Sequence, residues 1–120
     1  MGSLWRGGAS AFLVAALGLC MSGEGWAQSR TFLLRRGQST LTTGYFVRNE
    51  AIWAECDRDC LDVDLKLFDR NNRLVDADEL RDDFPVVRAP FDGEFTLEVI
   101  MFDCRSSAGC YVVVDSELGF

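Results

Sequence analysis

Three groups of side chains in this sequence could do chemistry, and their spacing limits what that chemistry is. Cysteines stand in two close pairs, Cys56 with Cys60 and Cys104 with Cys110. Aspartates crowd the first pair and the residues after it, at Asp57, Asp59, Asp62 and Asp64. Trp53, Tyr45 and Tyr111 could form a platform for a sugar or a peptide if they share an exposed face. Histidine is absent from all 120 residues, which excludes Ser-His-Asp and Cys-His catalysis. Gly37, Gly44 and Gly93 are isolated turn residues and make no phosphate-binding loop. Carboxylates are plentiful enough for a two-acid glycosidase, but such an enzyme needs a cleft that a domain this small has little volume to form. The chain therefore reads as noncatalytic.

The cysteine chemistry depends on the compartment, and the N-terminus points to export. Arg6 precedes an uninterrupted apolar run from Ala11 to Met21, and Gly25-Trp26-Ala27 offers small residues where a signal peptidase reads. Cleavage is expected before Gln28. The apolar run is about half the ~20 residues of a spanning helix, and Leu19 is bulky where a lipoprotein peptidase working at Cys20 needs a small residue. No stable membrane insertion is expected after cleavage. Residues 28–120 then form one domain and keep four cysteines, an even set that reads as two disulfides. Three connectivities are open, and the close spacings favour local pairing. Such short loops contribute about 2 kcal/mol each, against about 4 kcal/mol for a crosslink spanning some 50 residues. A four-thiolate zinc site is the poorer reading, because the second spacing is too long and an oxidising compartment removes free thiols.

Removing residues 1–27 takes one base, Arg6, and one acid, Glu24, so the net charge stays at −7. That balance argues against nucleic acid and anionic membrane partners. The charge is unevenly placed: from Gln28 to Arg48 there are four arginines and no acids, while Glu55 to Asp83 holds eleven acids against five bases. Calcium takes six to eight hard oxygen ligands, and Asp57, Asp59, Asp62 and Asp64 lie along one turn and strand. Asp76, Asp78, Asp82 and Asp83 could approach them from an acidic loop. The glycine and terminal glutamate of an EF-hand loop are missing. The plainer alternatives are that Asp62 and Asp64 solubilise an outer face and that Asp57 and Asp59 cap turn amides. Trp53 is expected in the core.

The elements that must hold these groups are strands. Short β-branched and aromatic runs recur about every eight to twelve residues between turn signals. They cover Thr31–Leu34, Leu41–Val47 with Gly44 as a bulge, Ala51–Cys56 and Leu61–Phe68. In the last of these Leu61, Val63, Leu65 and Leu67 alternate with Asp62, Asp64 and Lys66, as in a half-buried strand. Asp69 to Arg73 reads as a hairpin turn, and Leu74-Val75 starts the returning strand. Asp76 to Asp83 reads as an acidic loop, with a helical turn over Ala77–Leu80. Phe84–Arg88, bracketed by Pro85 and Pro90, suits an edge strand. Glu94–Phe102 and Tyr111–Val114 complete the set. Seven or eight strands and almost no helix predict an all-β, antiparallel two-layer sandwich.

The run Asp62-Val63-Asp64-Leu65-Lys66-Leu67-Phe68-Asp69, followed by Asn71-Asn72-Arg73 and later by Gly93-Glu94-Phe95-Thr96-Leu97-Glu98-Val99, resembles the bacterial pre-peptidase C-terminal domain. Cys56-Asp57-Arg58-Asp59-Cys60, Met101-Phe102-Asp103-Cys104 and Cys110-Tyr111 are similar to features of small exported bacterial proteins of uncharacterised role. The resemblance spans Leu41 to Val114. It implies a jelly-roll-like sandwich that assists secretion, folding or substrate attachment, with calcium or collagen as ligands of some relatives. The expected function is an exported interaction module, periplasmic or secreted, that binds a protein or polysaccharide. The alternatives are a calcium-stabilised structural domain and an inhibitor of an exported hydrolase, for which the loop from Asp103 to Gly109 is the candidate contact.

Overall fold

The computed structural model describes residues 29–120, and the predicted signal segment, residues 1–27, lies outside them. Eight strands follow one another: β1 (Arg30–Leu34), β2 (Ser39–Phe46), β3 (Ala51–Cys56), β4 (Cys60–Phe68), β5 (Leu74–Asp78), β6 (Val86–Arg88), β7 (Gly93–Cys104) and β8 (Cys110–Ser116). They form two four-stranded sheets, ordered β1-β8-β3-β6 and β2-β7-β4-β5. First pairs with last, second with seventh, third with sixth and fourth with fifth, all antiparallel. This order is that of a long hairpin rolled up on itself, the jelly-roll solution to stacking two sheets. Among the described residues there is no helix.

Period-two alternation builds the core. Val63, Leu65 and Leu67 from β4, Phe95, Leu97, Val99 and Met101 from β7, and Val112 and Val114 from β8 are almost wholly buried between the sheets. Ile52 and Ala54 enter from β3. The C-terminal Phe120 closes one end, its ring 5.2 Å from that of Phe46 and beneath the Arg30 guanidinium. Glu50, 4% exposed, ties the β2–β3 turn to the end of the chain. Its carboxylate accepts from Val47 N at 2.9 Å, Ser116 Oγ at 2.7 Å and Leu118 N at 3.2 Å.

An open sandwich leaves edge strands with unpaired amides, a template for aggregation, and both open sides here are laced by side chains. Arg30 of β1 donates to the Thr42 hydroxyl and the Thr43 carbonyl of β2 in the other sheet. On the opposite side Asp78 accepts from Val86 N at 2.9 Å and Asp76 from Arg88 N at 2.8 Å, joining β5 to β6. The predicted acidic loop with a helical turn over Ala77–Leu80 is therefore corrected. Residues 74–78 are a strand, because pairing with β4 and these two carboxylate contacts outweigh the weak local preference for a turn.

Three further expectations are corrected. The β2–β7 register runs without a break past Gly44, so Gly44 is not a bulge. A Cβ there would sit 2.9 Å from Cζ of the buried Phe46 ring, which is why glycine occupies the position. Leu61 is exposed rather than in the core, because the β4–β7 register shifts between Cys60 and Val63 and breaks the alternation at that point. Trp53 is half-buried and lies opposite Val86 and Asp115 on the outer face, while its neighbours Ile52 and Ala54 take the core positions.

Candidate functional site

The four cysteines gather at one end of the sandwich. Cys56 is bonded to Cys60, and Cys104 to Cys110. Cys60 stands opposite Cys104 in the β4–β7 ladder, so the two bridged turns are neighbours. Backbone hydrogen bonds brace one turn on the other. Asp57 N donates to Tyr111 O at 3.1 Å, and Arg105 N to Asp59 O at 2.7 Å. The Asp57 carboxylate accepts from Asp59 N at 3.0 Å and from Tyr111 N at 2.9 Å. Asp57 thus caps amides, one of the two roles its position allows. The pairing also suits an oxidising compartment.

Three arginines gather at this braced end. Arg35 and Arg36 lie in the β1–β2 turn, which Gly37 permits with φ 85°. That turn is fixed to β7 through Gly37 N to Met101 O at 2.7 Å and Met101 N to Gln38 O at 2.8 Å. With Arg105, Ser106 and Ser107 of the second bridged loop, the two arginines line a hollow of about 270 Å³. Arg36 lies 3.6 Å from Asp103, and neither Arg35 nor Arg105 has a carboxylate partner among the described residues. The loop itself is a compact turn, closed by Gly109 N to Ser106 O at 3.1 Å and Ala108 N to Ser106 Oγ at 3.2 Å. The run of arginines without acids is visible in the sequence, but the approach of Arg105 to it is made only by the fold.

Beside the hollow, Leu33 and Tyr111 stand opposite each other on β1 and β8, 51% and 57% exposed. Trp53 and Val86 lie further along the same outer face, so two of the three predicted platform aromatics share a sheet face. Tyr45 does not join them. It is exposed on β2, in the other sheet.

Most of the aspartates that the sequence offered as calcium ligands lie apart. Asp57 faces the turn amides, and Asp59 remains in the same turn. Asp76 and Asp78 lace the sheet edges, and Asp82 accepts from Phe84 N at 3.1 Å. Asp62 and Asp64 remain together, and they are buried, at 4% and 8% exposure, rather than on an open face. The connection after β5 runs on beside β4, where Val63 N donates to Asp82 O at 3.0 Å. One oxygen of each carboxylate, Oδ1, is buried without a hydrogen-bond partner. Burial, then the Asp62 charge and a hydrogen bond to Asp62, then Glu79 and Asp78, push the Asp64 carboxyl up to about 6. Below about pH 6 the Asp64 carboxyl carries a proton that it can donate towards Asp62. No group of three or more metal-ligating side chains converges among the described residues.

The sequence matches no family model, and no curated protein resembles it at a significant level.

Proposed function

We propose that this chain is an exported, noncatalytic interaction module of the pre-peptidase C-terminal type, binding a protein or polysaccharide in the periplasm or outside the cell. The display of Leu33, Tyr111, Trp53 and Val86 on one outer sheet face, next to a doubly bridged and rigid loop pair, carries the reading. Rigid anchors lose little entropy on binding, and aromatic side chains dominate recognition surfaces. One feature supports the family likeness. The strand carrying the D-x-D-L-x-L run is β4, and the strand carrying G-x-F-T-L-x-V is its direct neighbour β7. The noncatalytic reading rests on the lack of histidine and on the four bridged thiols. A glycan array and a blot of envelope proteins, probed with oxidised residues 28–120, test this reading. The wild type should retain a ligand that Tyr111→Ser or Trp53→Ser loses. Equal retention by both variants, or no ligand for the wild type, refutes it.

The unpartnered oxygens of Asp62 and Asp64 favour a second reading, a calcium-stabilised structural domain. A cation would satisfy both oxygens, with main-chain carbonyls and water completing the shell. A higher melting temperature in millimolar calcium than in chelator, lost in Asp62→Asn, is its signature.

A further inference from the structure

A chain with a net charge of −7 has little reason to place three arginines around one hollow unless something anionic belongs there. Arg35, Arg36 and Arg105 come from two segments far apart in sequence, and each segment is anchored independently. The β1–β2 turn is held to Met101, and the bridged loop to Asp59 and by Cys104–Cys110. Two guanidinium groups lack carboxylate partners among the described residues, and Ser106 and Ser107 add hydroxyls to the same lining. Arginine presents a planar fork of donors that matches an oxyanion. The volume, about 270 Å³, is at or below the small end of ligand pockets, ~300–1,000 Å³. It suits one charged sugar unit.

We infer that the hollow binds the oxyanion of an acidic polysaccharide, a carboxylate or a sulfate ester, while Leu33 and Tyr111 beside it take the apolar faces of adjoining sugar rings. This rests on the interaction-module reading and names its ligand class. Charge complementarity selects the glycan over a nucleic acid. A polymer with a charge at every ~1.7 Å of duplex would meet the acidic remainder of the surface along its whole length. A glycan with neutral units between its charges presents one charge to the hollow and neutral rings to the rest. Exposed charges closer than about one Debye length, ~8 Å at physiological salt, still act on one another, so charge spacing decides the outcome.

The test is titration of ¹⁵N-labelled oxidised residues 28–120 with a hyaluronan oligosaccharide and a κ-carrageenan oligosaccharide, which alternate a carboxylate-bearing or a sulfated unit with a neutral one, and with neutral dextran and a DNA duplex. Shifts at the Arg35, Arg36 and Arg105 side-chain Nε resonances and the Ser106 and Ser107 amides should appear with one or both acidic oligosaccharides. The first two arms separate carboxylate from sulfate. Arg35→Gln and Arg105→Gln should each weaken binding about tenfold, equivalent to about 1.4 kcal/mol, and salt should weaken it further. Shifts that map elsewhere, no response to either acidic sugar, or a DNA response as strong as the glycan's overturns the inference. If Tyr111→Ser loses a neutral glycan or a protein ligand while the arginine variants keep it, the module reading stands and the acidic-sugar inference falls.

Discussion

Replacing Asp64 with asparagine should stabilise this domain at neutral pH. The wild-type carboxyl titrates at about 6 in the folded chain and has an ordinary value of 3.8. Between those values the folded state holds a proton that the unfolded state has released. Stability is therefore greatest below about pH 4 on this account and is lost as pH rises through about 6. The difference of about 2.2 pH units, at about 1.36 kcal/mol per unit, comes to about 3 kcal/mol. Asp64→Asn keeps the shape, supplies an N–H donor towards Asp62 and removes the buried charge. It should recover up to about 3 kcal/mol at pH 7, or roughly 10–20 °C in melting temperature for a domain this size. Urea unfolding of oxidised wild type and variant from pH 4 to pH 8 measures it, and their difference cancels carboxylates common to both. Asp69 is one of these. Backbone donors from Arg73 and Asn71 hold its carboxyl below the ordinary range, so its contribution is lost at lower pH, with the opposite slope. A wild-type-minus-variant difference that stays flat over pH 4–7, or a variant less stable at pH 7, refutes the protonated-Asp64 account. A gain for the wild type in millimolar calcium that the variant lacks would replace the proton with a cation.

Three other perturbations probe the frame around the site. Glu50→Ala removes the acceptor for Val47 N, Ser116 Oγ and Leu118 N, so urea unfolding should show a loss of about 2–4 kcal/mol. Gly44→Ala places a methyl 2.9 Å from the Phe46 ring and should cost about 1–3 kcal/mol by the same measurement, from overpacking alone. Asp76→Ala with Asp78→Ala frees the amides of Arg88 and Val86, which should cost about 1 kcal/mol each. It also opens an edge strand, so light scattering at elevated temperature should show faster aggregation.

Much of the fold is legible in the residues themselves because its information is local. Strand alternation in Val63, Leu65 and Leu67 needs only the two-residue period of a pleated chain. The Asp69–Arg73 turn needs only an aspartate that accepts from Asn71 N and Arg73 N and an Asn72 that tolerates φ 64°. Local disulfide pairing follows from the spacing of each cysteine pair, and the prolines around β6 mark an edge. The tertiary structure decided what alternation cannot: which face of each strand is covered, and by what. Trp53 alternates as well outward as inward, and only the packing of Ile52 and Ala54 settles it. Asp62 and Asp64 look like a solvated face until the chain beyond β5 returns beside β4. Asp76 and Asp78 become edge fasteners only because rolling the hairpin sets β5 against β6. The arginine hollow likewise exists only because β1 pairs with β8, which brings the turn at Arg35 and Arg36 to the loop carrying Arg105. A site made by long-range strand pairing leaves no spacing in the sequence to read.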